Sequence, residues 1–290
     1  MYYLKVVCEV RDKVEVAKHY DLRSGAPGMP REKRRRKTQE EMAAQNRWRR
    51  RTRLRRLIEA NFGPGDWHVV LGCRKGEELS AEDARKRIRK FRDRLQGAYK
   101  KMGWELKYVI TCERGKRGRI HWHMIINDMH SEKESTAGMV RRLWEWGREY
   151  FSPLDSTGDY KVLAEYIIKE CEREGEEPVE KQGYMSSRNL VRPVEVTEKV
   201  RAKGWRKEPK VPRGWELVPG TLVNGTNKYS GLPYQRYTIR RKEASAHEEG
   251  GHIHRHDPAG VRKRRGERDV HHADPAGRGR RPRAEGGGGD

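Results

Sequence analysis

The sequence lacks the features that stabilise secreted and membrane proteins. Its four cysteines, Cys8, Cys73, Cys112 and Cys171, show no CxxC spacing, so they indicate neither a zinc site nor a disulfide framework. No apolar run is long enough to span a bilayer, and no apolar leader segment opens the chain. A GxxxxGK[ST] loop is also absent, so the sequence shows no ATP-driven helicase. We therefore expect a soluble intracellular protein.

The composition combines little apolar material with a large excess of positive charge. Hydrophobic residues make up 33% of the chain and charged residues 38%, a balance that predicts partial disorder. Lys and Arg number 66 against 43 Asp and Glu, which gives a net charge of +23. Such an excess favours a polyanionic partner, and nucleic acid is the first candidate. A membrane partner is not expected, because no apolar helix face accompanies the basic runs.

Hydrophobic periodicity alternates between strand and helix patterns through the middle of the chain. The order predicts an α+β fold, with an antiparallel β-sheet and helices packed on it. The predicted strands include 67–73, 104–113 and 119–127, and the predicted helices cover 47–58, 80–102, 136–150 and 160–171. We divide the chain into an N-terminal strand and linker (1–30), a basic helical segment (31–60), a central domain (61–195), a C-terminal extension (196–242) and a disordered Gly-, Arg- and His-rich tail (243–290).

The basic helical segment has 13 Lys or Arg residues against three acidic residues between positions 31 and 58. Its later half places Trp48, Leu54 and Leu57 roughly on one side, with arginines elsewhere. Two interpretations carry equal weight here. The arginines either form a solvated helix face or contact phosphates of nucleic acid.

Two histidines separated by one apolar residue lie in the strand predicted over 119–127. Residues i and i+2 of a strand share a face, so His121 and His123 project side by side while Trp122 and Met124 point to the other face. The Gly-containing link before this strand predicts a hairpin that would bring Glu113 beside both histidines. Two imidazoles and one carboxylate suit a divalent cation that also holds a substrate. The alternative is a solvated polar face, which is common for an isolated motif of this kind.

The helix predicted over 160–171 carries a second reactive group. Tyr166, Lys169 and Arg173 lie along one stripe that combines a phenol with two cations. A phenol is a poor nucleophile at its usual pKa of about 10, but nearby cations favour the phenolate and a metal ion polarises the phosphorus under attack. Lys169 can hold a phosphate or stabilise developing charge. The alternative is that Tyr166 packs amphipathically with its hydroxyl in water.

The motifs occur in four stretches: Arg53–Phe62, Gly118–His123, Leu163–Lys169 and Ser187–Pro193. In this combination they resemble the HUH superfamily of single-strand endonucleases. The sequence is most similar to the rolling-circle replication initiators (Rep proteins) of bacterial mobile elements and phages, including the filamentous-phage type. The resemblance extends from roughly residue 40 to residue 195.

The resemblance implies metal-assisted nicking and rejoining of single-stranded DNA. By this resemblance Glu113, His121 and His123 bind Mg²⁺ or Mn²⁺. Tyr166 attacks a scissile phosphate, leaving a 5′-phosphotyrosine link and a free 3′-hydroxyl. The implied partners, in the bacterial cytoplasm, are single-stranded DNA or an origin hairpin together with a host helicase and polymerase. The candidate DNA contacts are Arg119, Arg173, Arg188 and Asn189.

Two departures from the family pattern affect this comparison. The first strand often ends in Leu-Thr and an aromatic residue in such proteins, but here it ends in Leu71–Cys73. Some relatives carry two tyrosines one helical turn apart, whereas Val162 precedes Tyr166, so the chain resembles the single-tyrosine arrangement. Tyr160 ranks a distant second as nucleophile. His252–His254 repeats the His-apolar-His form without an apolar strand around it, and we discount it.

Three other functions remain open from the sequence. A relaxase or single-tyrosine transposase would use the same chemistry. A non-catalytic single-strand nucleic-acid binder would use the basic surface and aromatic residues such as Trp122, and its affinity would survive Tyr166→Phe. A metal-dependent nuclease that uses water would lose activity with His121→Ala and keep it with Tyr166→Phe.

Overall fold

The computed structural model describes residues 2–20, 37–115, 118–171 and 183–242, which form two antiparallel sheets and four helices. The predicted α+β class is therefore confirmed. No helix in these ranges has both the length and the apolar character needed to cross a bilayer. The predicted disordered tail lies outside the described residues. The elements are β1 (Tyr3–Val10), β2 (Lys13–His19), α1 (Gln39–Asn61), β3 (Trp67–Gly72), α2 (Ala81–Lys101), β4 (Tyr108–Arg114), β5 (Ile120–Ile126), α3 (Thr136–Leu143), β6 (Glu149–Pro153), α4 (Lys161–Cys171), β7 (Met185–Ser186), β8 (Glu195–Val200), β9 (Trp215–Leu217), β10 (Val223–Thr226) and β11 (Pro233–Arg241).

The first sheet has the strand order β6-β3-β5-β4-β7, and each neighbouring pair is antiparallel. Alternate residues of its strands point to opposite faces, so each face packs against its own helices. Helices α2 and α3 cover one face and enclose the first core. The first core contains Val69, Leu71, Ala84, Ile88, Phe91, Leu95, Tyr99, Ile110, Cys112, Trp122, Met124, Met139, Val140 and Trp144.

Helix α2 forms where the apolar spacing and its capping residues predict it. The Ser80 hydroxyl accepts a hydrogen bond from the Asp83 backbone N–H (3.1 Å), which satisfies one of the free amides at the helix start. The residues at helical spacing, from Ala84 to Tyr99, are buried in the first core. Gly103 follows the last turn with φ +79°, a conformation that glycine adopts without steric cost.

Helices α1 and α4 cover the opposite face of the first sheet and enclose a second core. Apolar residues of both helices meet Val109 of β4 and Ile125 of β5 there, while other positions on the same face of these strands are polar. The second core contains Leu54, Leu57, Ile58, Phe62, Val109, Ile125, Leu154, Tyr160, Ala164, Ile167, Ile168 and Leu190.

Helix α1 is longer than predicted, because it begins at Gln39 rather than Arg47. A capping box starts it: the Thr38 hydroxyl accepts from the Glu41 backbone N–H, and the Glu41 carboxylate accepts from the Thr38 N–H. Leu54 and Leu57 are buried, as the predicted apolar side requires, but Trp48 remains half exposed against the Arg236 guanidinium.

The second sheet joins strands from both ends of the chain. Its order is β10-β11-β2-β1-β8, with β9 paired to β11. The sequence interpretation kept residues 1–30 and 196–242 as separate segments, with one late apolar run at 234–239. The structure instead pairs β1 with β8 and β2 with β11, because each strand covers the free backbone edge of the other.

The helix predicted over 136–150 was wrong in its second half. Helix α3 ends at Leu143, and residues Glu149–Pro153 form strand β6, which pairs with β3. The reason lies at Gly147, where a Cβ would overlap the Gly72 carbonyl oxygen and lie 2.7 Å from the Cys73 carbonyl carbon. The chain there packs backbone against backbone, which a continuing helix with side chains could not do.

Candidate active site

The β4–β5 hairpin brings the predicted acidic residue and both histidines to one face of the first sheet. Glu113 stands directly opposite His121, and Thr111 stands opposite His123. The intervening Trp122 is fully buried in the first core, on the other face. The predicted hairpin and the predicted division between the two faces are therefore confirmed.

His123 and Glu113 form the buried centre of this face. The His123 Nε2 and Glu113 Oε2 atoms are 3.0 Å apart, and the two residues are only 3% and 8% exposed. A carboxylate so far removed from water requires a proton, a cation or strong donors nearby. The neighbouring Thr111 hydroxyl is buried too and has no hydrogen-bond partner among the described residues.

His68 of β3 is a third histidine at the site, which the sequence interpretation missed. Its Nε2 atom lies 3.2 Å from His123 Nδ1, and the two rings stack with centroids 5.4 Å apart. Burial, with a smaller effect of His123, lowers the pKa of His68 to about 4, so at neutral pH its ring is uncharged. Strand alternation across His68 and Val70 was the available signal, but the pairing of β3 with β5 was not predictable locally.

His121 lies at the open end of the hairpin and is partly exposed. Gly72 stands opposite it on β3, and a Cβ there would lie 3.6 Å from His121 Cδ2. On the other side a Cβ at Gly115 would lie 3.4 Å from His121 Cε1. The imidazole thus lies between two positions without side chains, which gives a structural reason for the departure at Leu71–Cys73.

Tyr166 of α4 lies over this face. Its ring contacts the His123 ring edge-on, with centroids 5.4 Å apart and an interplanar angle of 84°. The side chain is 45% exposed, although α4 buries Ala164 and Ile167 on its inner side. The phenol is therefore held at the site while solvent, or a substrate, has access to it.

Tyr160, the second-ranked nucleophile, is placed differently. It is 2% exposed within the second core, and its hydroxyl donates to the Asp155 carbonyl oxygen at 3.2 Å. Burial raises the pKa of Tyr160, which further disfavours its phenolate. This placement favours Tyr166 over Tyr160.

The donor set matches the ligand chemistry of a divalent cation, although the side chains do not form a closed cage. Across the described ranges, no three His, Cys, Asp or Glu side chains are grouped to hold an ion as they stand. Nevertheless the 3.0 Å between His123 Nε2 and Glu113 Oε2 equals the spacing of adjacent ligands at right angles, about 3 Å for bonds of about 2.1 Å. His68 behind His123 has the position of the outer partner that metal-bound histidines commonly have.

The other predicted site residues lie at different distances from this centre. Arg119 immediately precedes β5, at the hairpin end that also carries Glu113 and His121. The backbone of Lys169 lies in α4 one turn beyond Tyr166, but its side chain is outside the described part of the structure, as is all of Arg173.

Arg188 and Asn189 lie near the opposite end of β4. Both are exposed, and the Asn189 amide donates to the Leu106 carbonyl and the Glu105 carboxylate, each at 3.3 Å. The adjoining Ser187 pairs with Tyr108, five residues from Glu113, which corresponds to about 17 Å along a strand. These two residues therefore do not join the His123 cluster.

Comparison with known proteins gives one match. Residues 66–171 match a family model described as a replication-associated protein of the ORF2 type. The matched range covers less than half of the chain but contains every described member of the cluster, from His68 to Tyr166. The match supports a replication initiator role. No curated protein matches the chain, and no solved structure does.

Proposed function

We propose that the chain initiates replication by nicking and rejoining single-stranded DNA through a covalent bond to Tyr166. One observation carries the proposal. Within the range that matches a replication-associated family, the exposed phenol of Tyr166 contacts His123, which is hydrogen-bonded to Glu113 on the same sheet face. A phenol beside a buried imidazole–carboxylate pair is the arrangement that tyrosine phosphotransfer needs.

Glu113, His121 and His123 would hold Mg²⁺ or Mn²⁺. When bound, such an ion would withdraw charge from the non-bridging oxygens of a phosphate and make the phosphorus more electrophilic. His68 is a positioning residue in this scheme. If His123 presents its Nε2 lone pair to the ion, its Nδ1 carries the hydrogen and donates to His68 Nε2.

Tyr166 supplies the nucleophile. Its Oη forms a bond to the phosphorus of one phosphodiester, and the bond from that phosphorus to the 3′ oxygen breaks. The phenol proton leaves, and the departing 3′ oxygen gains a proton to become a hydroxyl. One phosphodiester replaces another, so the energy of the broken bond is retained and the 3′-hydroxyl can reverse the step to rejoin the strand.

Charged residues around Tyr166 are assigned to the DNA. Lys169 would stabilise the negative charge of the phosphate under attack, since it follows Tyr166 by one helical turn. Arg119 and Arg173 would hold the strand close to the hairpin end. Arg188 and Asn189, at the far end of β4, would contact a more distant part of the same strand.

The substrate and partners follow from the same chemistry. The substrate is single-stranded DNA or the single-stranded part of an origin hairpin, because a duplex backbone leaves little room for in-line attack by a helix side chain. The free 3′-hydroxyl needs a host polymerase to extend it and a host helicase to open the duplex, which places the reaction in a bacterial cytoplasm. A relaxase or single-tyrosine transposase would use an identical step on other DNA.

A covalent-adduct assay tests the proposal. The full chain is mixed with labelled single-stranded oligonucleotides that carry candidate origin sequences, with Mn²⁺ or with a chelator, and run on a denaturing gel. We expect a DNA-linked protein band that requires Mn²⁺ and is absent in Tyr166→Phe and His121→Ala. Tyr160→Phe is the matched control, and it should retain the band.

Other outcomes would support the competing functions. Cleavage without an adduct that persists in Tyr166→Phe would replace the proposal with a water-using nuclease. Tight binding with no cleavage under any metal would favour a single-strand binding protein.

A further inference from the structure

The arginines of α1 fall into two groups with different surroundings. Arg55 and Arg56 face the second sheet, where Arg56 Nε lies 2.9 Å from Glu15 Oε2 and Arg55 is paired with Glu15 and Glu59. Glu41 and Trp48 contact the second sheet along this same side, through Lys228 and Arg236. This side of α1 is therefore used to hold the second sheet in place.

A different stripe of α1 leaves the protein core and becomes exposed. The residues at three- and four-residue spacing before the buried Leu57 are Arg53, Arg50, Asn46 and Ala43, and all four are exposed. We call these four residues the exposed stripe. It continues the side of α1 that packs on the second core, so it belongs to the face of the first sheet that carries Tyr166.

The charge of this part of α1 is not balanced within the helix. Between Glu41 and Glu59 there are seven arginines and no acidic residue. Arginines three or four residues apart, such as Arg50 and Arg53, repel one another and weaken the helix. A polyanion laid along the stripe would remove this cost, which a merely solvated helix would have no reason to bear.

The side chains in the exposed stripe fit duplex DNA. The major groove, about 12 Å wide, admits an α-helix, and the part of α1 from Gln39 to Arg53 is about 22 Å long. Arginine and asparagine are the residue types that pair with guanine and adenine edges in that groove, and Ala43 permits close approach. The stripe contains no aromatic residue, which single-strand recognition by base stacking would need.

We propose that the exposed stripe of α1 enters the major groove of the duplex beside the nick and reads its base sequence. The inference rests on the proposed function, since it takes the strand at Tyr166 as the point of reference. In this arrangement Asn46 and Arg50 contact base edges and Arg53 contacts a base edge or the adjoining phosphate. The duplex arm, rather than the strand that is cut, then determines where the protein acts.

A binding selection tests the inference. The full chain selects from a duplex pool whose randomised core spans about two helical turns, and affinity for the selected duplex is measured by fluorescence anisotropy at several salt concentrations. We expect one enriched motif for the wild-type chain. Asn46→Ala should lose the preference at one position, and Arg50→Ala and Arg53→Ala should each weaken binding about tenfold. A triple variant that combines the three changes should lose the motif altogether.

The matched control removes the same groups from another helix. A second triple variant, Arg89→Ala with Gln96→Ala and Lys100→Ala, deletes two cations and one amide at exposed positions of α2, which lies on the other face of the first sheet. This control should keep the motif and most of the affinity. An equal loss in both triple variants, or no enriched motif, would overturn the inference. An equal loss of affinity for the single strand of the selected sequence would also overturn it, in favour of a general single-strand contact.

Failure of this inference and failure of the proposed function can be told apart. The covalent adduct is assayed separately, with the wild-type chain and single-stranded DNA. An adduct without duplex selectivity rejects the role of the stripe alone, whereas duplex selectivity without an adduct rejects only the nicking chemistry.

Discussion

On the face of β4 and β5 that α2 covers, Trp122, Met124 and Cys112 are buried among apolar neighbours. One residue along each strand, the opposite face presents Glu113 and His123, with α4 leaving Tyr166 exposed above them. The same two strands thus form a core on one side and a reactive centre on the other. The comparison shows that the first core supplies rigidity, while the polar face can hold unusual groups because its partner strand is already fixed.

Trp122→Ala should break this division from the core side. Removal of a fully buried tryptophan is expected to cost about 3–5 kcal/mol of unfolding free energy, a large share of the stability of a typical domain. Urea unfolding measures the loss. Trp122→Phe is the milder control, because the Trp122 Nε1 donor has no partner among the described residues and its removal costs little.

His121→Ala provides the contrast on the polar face. His121 is partly exposed, so the unfolding free energy should change by less than about 1 kcal/mol. An unchanged urea midpoint for Trp122→Ala, or unfolding in His121→Ala, would contradict the division of labour between the two faces.

His68→Phe should weaken the metal site without unfolding the chain. Loss of the acceptor for His123 Nδ1 is expected to reduce Mn²⁺ affinity by about 10–100-fold. His68→Gln should recover part of the affinity, because an amide oxygen can accept the same hydrogen bond. Electron paramagnetic resonance of free Mn²⁺ measures both. His130→Gln, at an exposed position beyond the other end of β5, should bind Mn²⁺ like the wild-type chain.

Gly147→Ala tests how tightly the end of β3 is held beneath the site. The new Cβ would overlap the Gly72 carbonyl oxygen, so backbone must shift, and we expect a cost of about 1–3 kcal/mol. Gly97→Ala is the opposite case, since nothing lies within 4 Å of its Cβ in α2. That variant should stabilise the chain by about 0.5–1 kcal/mol. Equal effects in thermal unfolding would show that residues 144–148 are not packed as described.

Glu59→Gln gives the smallest expected effect and separates two buried carboxylates. Burial raises the pKa of Glu59 even though Arg55 lies 3.0 Å away. A raised folded-state pKa contributes stability below the unfolded value, and that contribution is lost as pH rises through the folded value. Relative to Glu59→Gln, the wild-type chain should therefore become less stable between about pH 4 and pH 7. Urea titration of both chains at several pH values measures the difference, and the reverse trend would contradict it.

Local sequence signals determined about half of the architecture. The β4–β5 hairpin, the start of α2 at Ser80 and the position of α4 were predictable, because alternation, capping residues and helical spacing act within a few residues of one another. The same signals correctly placed Glu113, His121 and His123 together.

Long-range pairing explains what the sequence interpretation missed. His68 reaches His123 only because β3 pairs with β5 across an intervening helix and strand. The second sheet depends on partners near opposite ends of the chain, and its late strands are short and only partly apolar. Strand β6 was taken for helix, because the signal that excludes a helix there is the contact between Gly147 and Gly72.

The joining of both chain ends in the second sheet has a consequence for synthesis on the ribosome. Tyr3 pairs with Val200 and Lys13 with Arg240, so the β1–β2 hairpin emerges first and its partners emerge last. At usual rates of translation this hairpin waits about 10–40 s with two open edges. Lys5, Lys13 and Lys18 lie along those strands, and such charges deter wrong pairing between nascent chains until the final strands arrive.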